Sequence, residues 1–481
     1  MKRLARTAIT LVALLALGTA MAATATAPAT PAGTWSWTAP TAPPGELAFA
    51  STLSEVSALA CAPTGRCVAI GVGFDQSTIG HLFISERTAA GWGQIALLSG
   101  VVADPSVTTG MIRQANCAPD GACAVTGQYF ANGSNVAFVD TLDGSGSIEI
   151  PGLAALDVGH DSTGLTIACS SAGNCSVVGY YLDAQSQNQV WVADQVDGVW
   201  GAATQVTGFV GTAGPTSISC AVDGDCVLVG VVVGSPNSAF VLERTSGVWG
   251  APWLISPMLP PGMGSQLTGV SCPTAGFCLA IGFVVPTSTI AMTMTRVDGA
   301  WSSPAPVPGL AAISGLDPSI GSMVSCWARG MCAIAGFTAV GSDQAAWVAD
   351  MASETFSDAQ LVPGVQSLGS GHSFPSALAC SPTGVCVLGG RFRNLPSYDA
   401  FLTERIDGVW SPASVLAPMR SGQPSVNNAP NAAGCTSEHC SIGGSFSDSQ
   451  TSIGWITDLT FTPTPPSTTV PQEPVAPAFT G

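Results

Sequence analysis

Sixteen cysteines are the residues of this chain best suited to chemistry, and they occur as eight close pairs. Seven pairs have the spacing C-x5-C and the eighth has C-x4-C. Pairs this close can form disulfides, bind zinc or exchange with other thiols. The pairs are Cys61/Cys67, Cys117/Cys123, Cys169/Cys175, Cys220/Cys226, Cys272/Cys278, Cys326/Cys332, Cys380/Cys386 and Cys435/Cys440.

We predict a disulfide within each pair, because no cysteine is left over and the chain begins with an export signal, described below. Zinc sites usually space their cysteines more closely and add histidines or further cysteines. Redox activity is the alternative, and it needs a cationic group beside the thiol. Only Arg66, Arg329 and His439 lie close to a pair in sequence. A structural bridge over so short a loop contributes about 2 kcal/mol.

Aromatic, cationic and acidic side chains offer a second kind of chemistry, the binding of a sugar or a peptide. The candidates are Tyr129, Tyr180, Tyr181, Arg391, Arg393, Tyr398 and Asp399. The alternative is that the tyrosines only end strands, with the ring buried and the hydroxyl in water. The sequence has no nucleophile elbow, zinc-protease motif, phosphate loop or EF-hand loop. We therefore predict no catalytic residue, no metal site and no cofactor.

The spacing of the cysteine pairs predicts the elements that carry these residues. Successive first cysteines are 56, 52, 51, 52, 54, 54 and 55 residues apart. A fixed period in this range indicates an array of one supersecondary unit. In every unit a glycine stands four residues after the second cysteine and ends a short apolar run, such as Cys226–Gly230. Such a run is typical of a strand buried on both faces.

Each unit then shows two more strand signals. A variable segment leads to a third strand, such as residues 239–244, and a glycine-containing turn leads to a fourth. A tryptophan begins the fourth strand at Trp92, Trp200, Trp249, Trp301 and Trp410. Four antiparallel strands in about 50 residues are typical of a β-propeller blade. We predict an all-β, eight-bladed β-propeller over residues 33–460.

The two ends of the predicted ring fit together. The eighth unit stops after its third strand, residues 454–459, while Gly33-Thr34-Trp35-Ser36 matches the fourth-strand pattern Gly408-Val409-Trp410-Ser411. We predict that this N-terminal strand completes the last blade, because a closed ring leaves no open edge there.

Strand direction alternates, so the loops divide between two faces. The disulfide face holds the cysteine turns and the hairpins between third and fourth strands. The variable face holds the connections between blades and the loops between second and third strands, which we predict to be long. All the binding candidates fall on the variable face, as do His81, His160 and His372. These histidines come from separate blades, so we interpret them as lone surface residues.

Acidic residues recur three positions after the third-strand aromatic in six of the eight units. They are Glu86, Asp194, Glu243, Asp350, Glu404 and Asp458. Arginine follows several of them directly, at Arg87, Arg244 and Arg405. A feature repeated this often indicates a structural lattice of hydrogen bonds or ion pairs, and not a catalytic carboxylate.

The ends and the charge of the chain limit its location and partners. Residues 1–22 have the charged, apolar and small-residue regions of a signal peptide. Residues 461–481 are rich in proline and threonine, and we predict a disordered tail. Without the signal peptide, 10 basic and 30 acidic residues give a charge of −20. That excludes the basic surface of a nucleic-acid or anionic-membrane binder. We predict a secreted or periplasmic monomer without an integral membrane segment.

The units resemble kelch-type propellers, most closely from Val387-Leu388-Gly389-Gly390 to Trp410. Kelch blades end the second strand with a glycine pair and place a tryptophan ahead of the fourth. Only the last two units have the full pair, Gly389/Gly390 and Gly443/Gly444, and the cysteines are not a kelch feature. The resemblance implies a propeller and transfers no catalytic residue.

Three functions are compatible with this sequence. The first is a secreted, non-catalytic propeller that recognises a glycan or a protein through the variable face. The second is an extracellular glycoside hydrolase or polysaccharide lyase that uses acids and arginines at the channel mouth. The third is a structural protein of the cell envelope or surface.

Overall fold

The computed structural model describes residues 33–45, 53–159, 161–286, 288–314, 318–395, 397–416, 427–447 and 451–463. The predicted signal peptide and residues 464–481 of the predicted tail lie outside these ranges. Residues 35–461 form one compact unit, and only residues 33, 34, 462 and 463 of the second unit are described. In the described ranges no helix is long and apolar enough to cross a bilayer.

Each blade starts with two antiparallel strands that meet at the disulfide turn. The first strands are β2 (Ser54–Cys61), β7 (Val107–Cys117), β11 (Ser162–Ser171), β16 (Ala213–Cys220), β21 (Gly264–Thr274), β26 (Ser319–Ala328), β31 (Ser373–Cys380) and β36 (Asn427–Cys435). The second strands are β3 (Cys67–Phe74), β8 (Cys123–Ala131), β12 (Asn174–Leu182), β17 (Cys226–Val232), β22 (Phe277–Val285), β27 (Met331–Val340), β32 (Cys386–Asn394) and β37 (His439–Ser447).

The outer half of each blade is a long third strand and a short fourth strand, which in six blades has two pieces. The third strands are β4 (Gly80–Thr88), β9 (Ser134–Asp140), β13 (Asn188–Val196), β18 (Ser238–Thr245), β23 (Ile290–Val297), β28 (Asp343–Ala352), β33 (Ser397–Ile406) and β38 (Ser452–Pro463). The fourth strands are β5 (Gly91–Trp92) with β6 (Ala96–Leu97), β10 (Ile148–Glu149), β14 (Val199–Trp200) with β15 (Thr204–Gln205), β19 (Val248–Trp249) with β20 (Trp253–Leu254), β24 (Ala300–Trp301) with β25 (Ala305–Pro306), β29 (Thr355–Phe356) with β30 (Gln360–Leu361), β34 (Val409–Trp410) with β35 (Ser414–Val415), and β1 (Gly33–Trp37).

The first strands form the inner wall of a closed ring. Each packs against the first strand of the next blade, and β36 of the eighth blade packs against β2 of the first. The core between blades is apolar throughout the cycle, and Val56, Leu59 and Ile456 close it between the last blade and the first. This confirms the eight-bladed, all-β propeller predicted from the repeat.

The eight disulfides join the predicted pairs, one in each blade. In seven blades the two cysteines face each other directly in the ladder between the first and second strands, as Cys220 and Cys226 do. Each bridge therefore fixes the register of the inner hairpin at the disulfide face, and no described cysteine is free.

In three of the seven C-x5-C blades the turn between the strands is shorter than the segment between the two cysteines. The first and second strands continue past the bridge there, so that Cys175, Cys278 and Cys332 each lie one residue inside their strand and not at its start. In the fifth blade a bulge follows Ser271, so Cys272 and Cys278 are bonded without being direct ladder partners. The pairs still bracket the turn in these blades, and backbone pairing such as that of Ala328 with Met331 extends beyond the sulfurs.

The second cysteine of every pair belongs to the core of the propeller. All eight second cysteines are buried, with at most 6% of their surface exposed: Cys67, Cys123, Cys175, Cys226, Cys278, Cys332, Cys386 and Cys440. Cys278 packs among apolar residues of the fourth and fifth blades, and Cys332 packs in the next cluster around the ring. These sulfurs are thus structural, and a molecule in solvent has little access to them.

A glycine in the second strand is required by close packing in all eight blades. A β-carbon added there would lie 1.8 to 2.4 Å from a carbonyl oxygen of the first strand. In six blades it would also meet the ring of the third-strand aromatic, as Phe240 shows for Gly230 and Trp347 for Gly336. The recurrent aromatic thus fills the space that the missing side chain leaves, which explains why both recur with the same period.

The recurrent acids form the predicted lattice of hydrogen bonds and ion pairs, and all but Glu86, which pairs with Arg66 of its own blade, bond to a neighbouring blade or to the closing strand. Asp458 accepts hydrogen bonds from Trp92 (3.2 Å) and Arg87 (3.0 Å), both of which belong to the next blade. The same triads are Asp194 with Arg244 and Trp249, Glu243 with Arg296 and Trp301, and Asp350 with Arg405 and Trp410. The Nε atoms of Arg244 and Arg405 are close enough for ion pairs but are not aligned for hydrogen bonds.

Two of the eight units lack the acid of this lattice, and Thr141 and Thr295 stand in its place. Thr141 stands three residues after Phe138, where six other blades have a carboxylate. In the following blade Gln195 replaces the arginine, and its Oε1 and the Nε1 of Trp200 are buried without a hydrogen-bond partner in the described ranges. The loss of the acceptor in one blade thus coincides with the loss of the cation in the next.

The closing N-terminal strand is present, but its register differs from the predicted one. The backbone N–H of Thr38 bonds Asp458 O, as that of Ser411 bonds Glu404 O, so Trp37 and not Trp35 occupies the position of Trp410. Trp37 accordingly donates to Glu404 (2.8 Å). Trp35 lies on the same side of the strand as Trp37, because residues two apart do so. Its ring packs on Phe461, with 5.3 Å between the ring centroids.

The loops between second and third strands are shorter than predicted. The residues that vary between units mostly continue the two strands, and the turns that join them are only two to five residues long, as at 132–133 and 75–79. The prediction of long loops was wrong because the strands remain hydrogen-bonded beyond the second-strand glycine, as Arg391 with Ala400 shows. The longer segments are the blade connections, and two contain the short helices α1 (Leu153–Leu156) and α2 (Leu310–Ser314).

Candidate functional site

The inner wall has a bulge at the same place in every blade, four residues before the first cysteine. The bulged residues are Ser57, Arg113, Leu165, Thr216, Thr268, Ser322, Ser376 and Asn431. The hydroxyl of Thr268 donates to Gly321 O in the next blade, and Ser376 and Asn431 make equivalent bonds. Thr216, Thr268, Ser376 and Asn431 thus satisfy carbonyl groups at the inner edge of the next sheet, which has no strand partner there. Sequence reasoning missed this position, although an alignment on the cysteines contains it.

Arg113 breaks that pattern on the inner wall. It is exposed, and its guanidinium makes one long hydrogen bond, 3.4 Å to Gln128 of its own blade. The side-chain amide of Gln128 donates a hydrogen bond to Asn135, and that of Asn135 donates to Asp161 at the start of the next blade. The polar chain keeps Gln128 oriented and leaves most of the arginine's five donors unused.

On the variable face the structure brings Arg391 and Tyr398 together with a residue that the sequence did not suggest. The Cζ atom of Arg391 lies 5.4 Å from the ring centroid of Tyr398 and 5.8 Å from that of Phe374. The ring of Phe337, in the preceding blade, and the ring of Phe374 pack edge to face, with 5.2 Å between their centroids. We call Phe337, Phe374, Arg391 and Tyr398 the arginine–aromatic cluster. Arg391 is exposed and the three rings are half-buried, so the cluster is accessible from solvent.

Charge pairing distinguishes this cluster from the structural lattice. Among the nine arginines described, six pair with a carboxylate within 4.0 Å, namely Arg66, Arg87, Arg244, Arg296, Arg329 and Arg405. The structure gives no ion pair within that distance for the other three, Arg113, Arg391 and Arg393, among the described ranges. Two of these three cations, Arg391 and Arg393, lie in one strand, β32.

The other candidates of the seventh blade lie around the cluster. Tyr398 lies opposite Arg393 in the ladder, so the two arginines and the tyrosine share one side of the sheet. Asp399 lies on the opposite side and accepts a hydrogen bond from Asn394 (2.7 Å), which clamps the tight hairpin. His372 lies 3.4 Å from Asp343.

Tyr129 and Tyr181 are core residues, whereas Tyr180 is half-buried. The ring of Tyr129 is 5% exposed and its hydroxyl donates to Glu149 of the fourth strand at 2.6 Å. Burial, reinforced by Glu149, raises the pKa of the Tyr129 hydroxyl. Burial likewise raises the pKa of Tyr181, with Asp183 and Asp157 adding to it. These two tyrosines thus fix strands at the variable face and offer little ring surface to a ligand.

The remaining polar candidates lie apart. His81 lies 3.1 Å from Asp75, whose other oxygen caps the turn before Ile79, and His160 lies outside the described residues. In the described ranges no group of three histidine, cysteine or acidic side chains could bind a metal ion. On the disulfide face, a polar cleft of about 310 Å³ separates the third and fourth blades and is lined by Asn174, Asp223 and Arg244.

A cavity of about 270 Å³ lies on the axis of the ring at the disulfide face. The first cysteine of every blade lines it, so the disulfides ring the channel mouth on their accessible side. Four prolines and Trp327 also line the cavity. Asn116 and Ser219 add polar groups, but none of the described residues that line the cavity is charged, unlike the arginines and aspartate predicted for the variable face.

His439 lies at the seam where the last blade meets the first. Its side chain is largely buried, with Nδ1 3.0 Å from Thr436 Oγ1 and 3.4 Å from Arg87 Nη1. Burial lowers the pKa of His439, and the neighbouring cation of Arg87 lowers it further, against a weaker opposing effect of Asp458 and Glu438. The lowered pKa favours the neutral imidazole near pH 7.

We expect this histidine to make folding sensitive to mild acid. Its folded pKa is below the unfolded value of 6.5, so the unfolded chain binds the proton more readily and stability falls as the pH drops below that value. Urea unfolding midpoints between about pH 7.5 and about pH 5 should decline more for the wild type than for His439→Gln. Equal slopes for the two proteins would show that His439 contributes nothing to the pH dependence.

No protein-family model matches this chain, and no curated protein is significantly similar to it. Solved structures that resemble it include an ulvan lyase, a polysaccharide lyase with 9% identity and a TM-score of 0.45 over 74% of this chain and 92% of that one. A puromycin-hydrolyzing peptidase of Mycobacterium tuberculosis has 10% identity and a TM-score of 0.44 over 86% of this chain and 61% of that one.

A third similar structure is a neuraminidase-like protein of subtype N11 from an influenza A virus of the flat-faced bat. It has 12% identity and a TM-score of 0.34 over 61% of this chain and 86% of that one. Likenesses this distant carry no argument about activity. The strands, the ring of inner walls and the interlocking blades define this chain as an eight-bladed propeller protein.

Proposed function

We propose that this protein is a secreted, non-catalytic propeller that binds a glycan at the arginine–aromatic cluster of its variable face. The observation that carries the proposal is Arg391, a cation without a carboxylate partner, held between the rings of Tyr398 and Phe374. Stacked rings fix the guanidinium plane, and the edge N–H groups stay free to donate to a sugar hydroxyl or carboxylate. Half-buried aromatic rings beside it can pack on the apolar face of a sugar.

The rest of the site supports a glycan that carries carboxylates. Arg393 projects on the same side as Arg391 and also lacks an ion pair, so two cations lie along one strand. Bidentate arginine–carboxylate bonds are stronger than bonds to neutral hydroxyls. The other predicted residues lie outside the cluster: Tyr180 belongs to the third blade, Tyr129 and Tyr181 are buried, and Asp399 lies on the opposite side of the strand from Tyr398. The eight disulfides suit an exported protein, and a kelch-type relationship stays a prediction.

Binding to a panel of neutral and uronate-containing polysaccharides tests this proposal. We expect the uronate polymers to bind more tightly, and Arg391→Ala and Tyr398→Ala each to weaken binding about tenfold or more, because the cation–π stack and its charge are lost. The matched control is Arg329→Ala, since Arg329 is also exposed but pairs with Asp298 and Glu354. Calorimetry on the purified chain gives the affinities.

Product analysis in the same samples separates the alternatives. New reducing ends or unsaturated ends would overturn the non-catalytic proposal in favour of a hydrolase or a lyase. Unchanged affinity in Arg391→Ala would move the site away from the cluster. Absence of binding to any glycan would favour a protein ligand or a structural role in the envelope.

A further inference from the structure

One of the eight disulfides has a hydrogen-bond donor beside its buried sulfur. At the seam between the last and first blades, Nε2 of His439 lies 3.5 Å from Sγ of Cys67. In three other blades a carbonyl oxygen lies near the second sulfur, 3.6 Å from Cys123, 3.5 Å from Cys226 and 3.8 Å from Cys386. The hydroxyl oxygen of Ser176 also lies 3.7 Å from Cys226, but its proton is donated to Asp194. The surroundings of these sulfurs are therefore of opposite polarity.

The hydrogen-bond partners determine which nitrogen of His439 carries the proton. Arg87 has only donors, and its Nη1 lies 3.4 Å from Nδ1 of the histidine, so Nδ1 must accept. With Nδ1 accepting, the proton of the ring lies on Nε2. That N–H points to Cys67 Sγ, and the guanidinium of Arg87 lies behind the ring.

The two sulfurs of this bridge also differ in access. Cys67 is fully buried, whereas Cys61 is half-buried and lines the axial cavity at the disulfide face. A small thiol that enters the cavity can therefore reach Cys61 and not Cys67. Since the first cysteine of every blade lines the same cavity, access alone does not single out one bridge.

We propose that Cys61–Cys67 is a thiol-exchange site for small thiols. The incoming thiolate forms a bond to Sγ of Cys61, the bond between the two cysteine sulfurs breaks, and its electron pair leaves on Sγ of Cys67. The N–H of His439 stabilises that leaving thiolate, and exchange is faster when the leaving sulfur is stabilised. A second thiolate attacks the mixed disulfide at the small thiol's sulfur, which releases the oxidised small-molecule disulfide and the Cys61 thiolate.

Partial reduction of the folded protein tests the proposal. The probe is 2-mercaptoethanol, a small neutral thiol, followed by iodoacetamide trapping and peptide mass mapping of each pair. We expect Cys61–Cys67 to be reduced about tenfold faster than Cys220–Cys226 and Cys380–Cys386, whose first cysteines are equally half-buried, because a charge-assisted hydrogen bond is worth at least that factor. Equal rates for these three bridges would overturn the proposal.

Two further measurements distinguish the effect of the His439 N–H from local opening of the seam between the last and first blades. Cys435–Cys440 belongs to the same seam, so local opening would make both bridges react quickly with the thiol. The proposal predicts faster reduction of Cys61–Cys67 alone. His439→Gln keeps an N–H group near the position of Nε2 and should preserve much of this faster reduction, while His439→Asn should abolish it. Faster reduction that survives His439→Asn would show that the histidine plays no part.

Discussion

Gly230→Ala is expected to destabilise the propeller by about 3 kcal/mol or more. The added methyl group would lie 2.3 Å from the carbonyl oxygen of Gly214 and 2.6 Å from the ring of Phe240. The carbonyl belongs to the backbone of the inner wall, so it cannot swing aside as a flexible side chain would. The fold must instead open the first strand or displace the aromatic ring, and either change breaks packing between blades. Urea unfolding with the disulfides intact measures the loss.

The neighbouring Gly214 provides the matched control. It lies in the adjacent strand of the same blade, and a β-carbon there would meet no atom within 4 Å. Gly214→Ala should therefore be neutral or stabilising by up to about 1 kcal/mol, because alanine restricts the unfolded strand more than glycine does. Similar losses for both variants would show that close approach to the first strand is not the reason for the glycine.

Asp458→Asn is expected to cost about 3–5 kcal/mol, since it removes the charge from a buried pair at the closure of the ring. Asp458 is 7% exposed and accepts from Arg87, Trp92 and Ser441. Without the carboxylate, the largely buried Arg87 keeps its charge and loses its partner. The unfolding midpoint should fall accordingly, and the seam should open first in hydrogen exchange.

Glu86→Gln is the control for this prediction, because Glu86 occupies the same strand position in the first blade. Its partner is Arg66 on the surface, at 2.6 Å, and an exposed pair contributes at most about 1 kcal/mol. Adding Arg87→Met to Asp458→Asn should restore much of the lost stability, because the unpaired cation is removed. A double variant no more stable than Asp458→Asn would locate the loss elsewhere, in the bonds of Trp92 or Ser441.

The site was predictable only in part. Arg391 and Tyr398 could be placed on one face from strand direction, because the cysteine pairs fix the register of every blade. Their partner Phe374 could not, since it lies in the first strand of the same blade, ahead of the disulfide turn, and meets Arg391 only through lateral pairing. Tyr129 and Tyr181 are of a residue type common in binding sites, yet the alternation of side chains along each strand directs their rings into the core.

The sequence by itself determined the repeat, the number of blades, the disulfide pairs and the structural nature of the recurrent acids. These features follow from local spacing that recurs with a constant period, so each copy confirms the others. The tertiary structure alone decided the contacts between blades. In the folded ring, Arg87 and Trp92 meet Asp458. Trp37, and not Trp35, becomes the closing residue. The N–H of His439 points at Cys67. Such pairs are hundreds of residues apart, and closure of the ring brings them together.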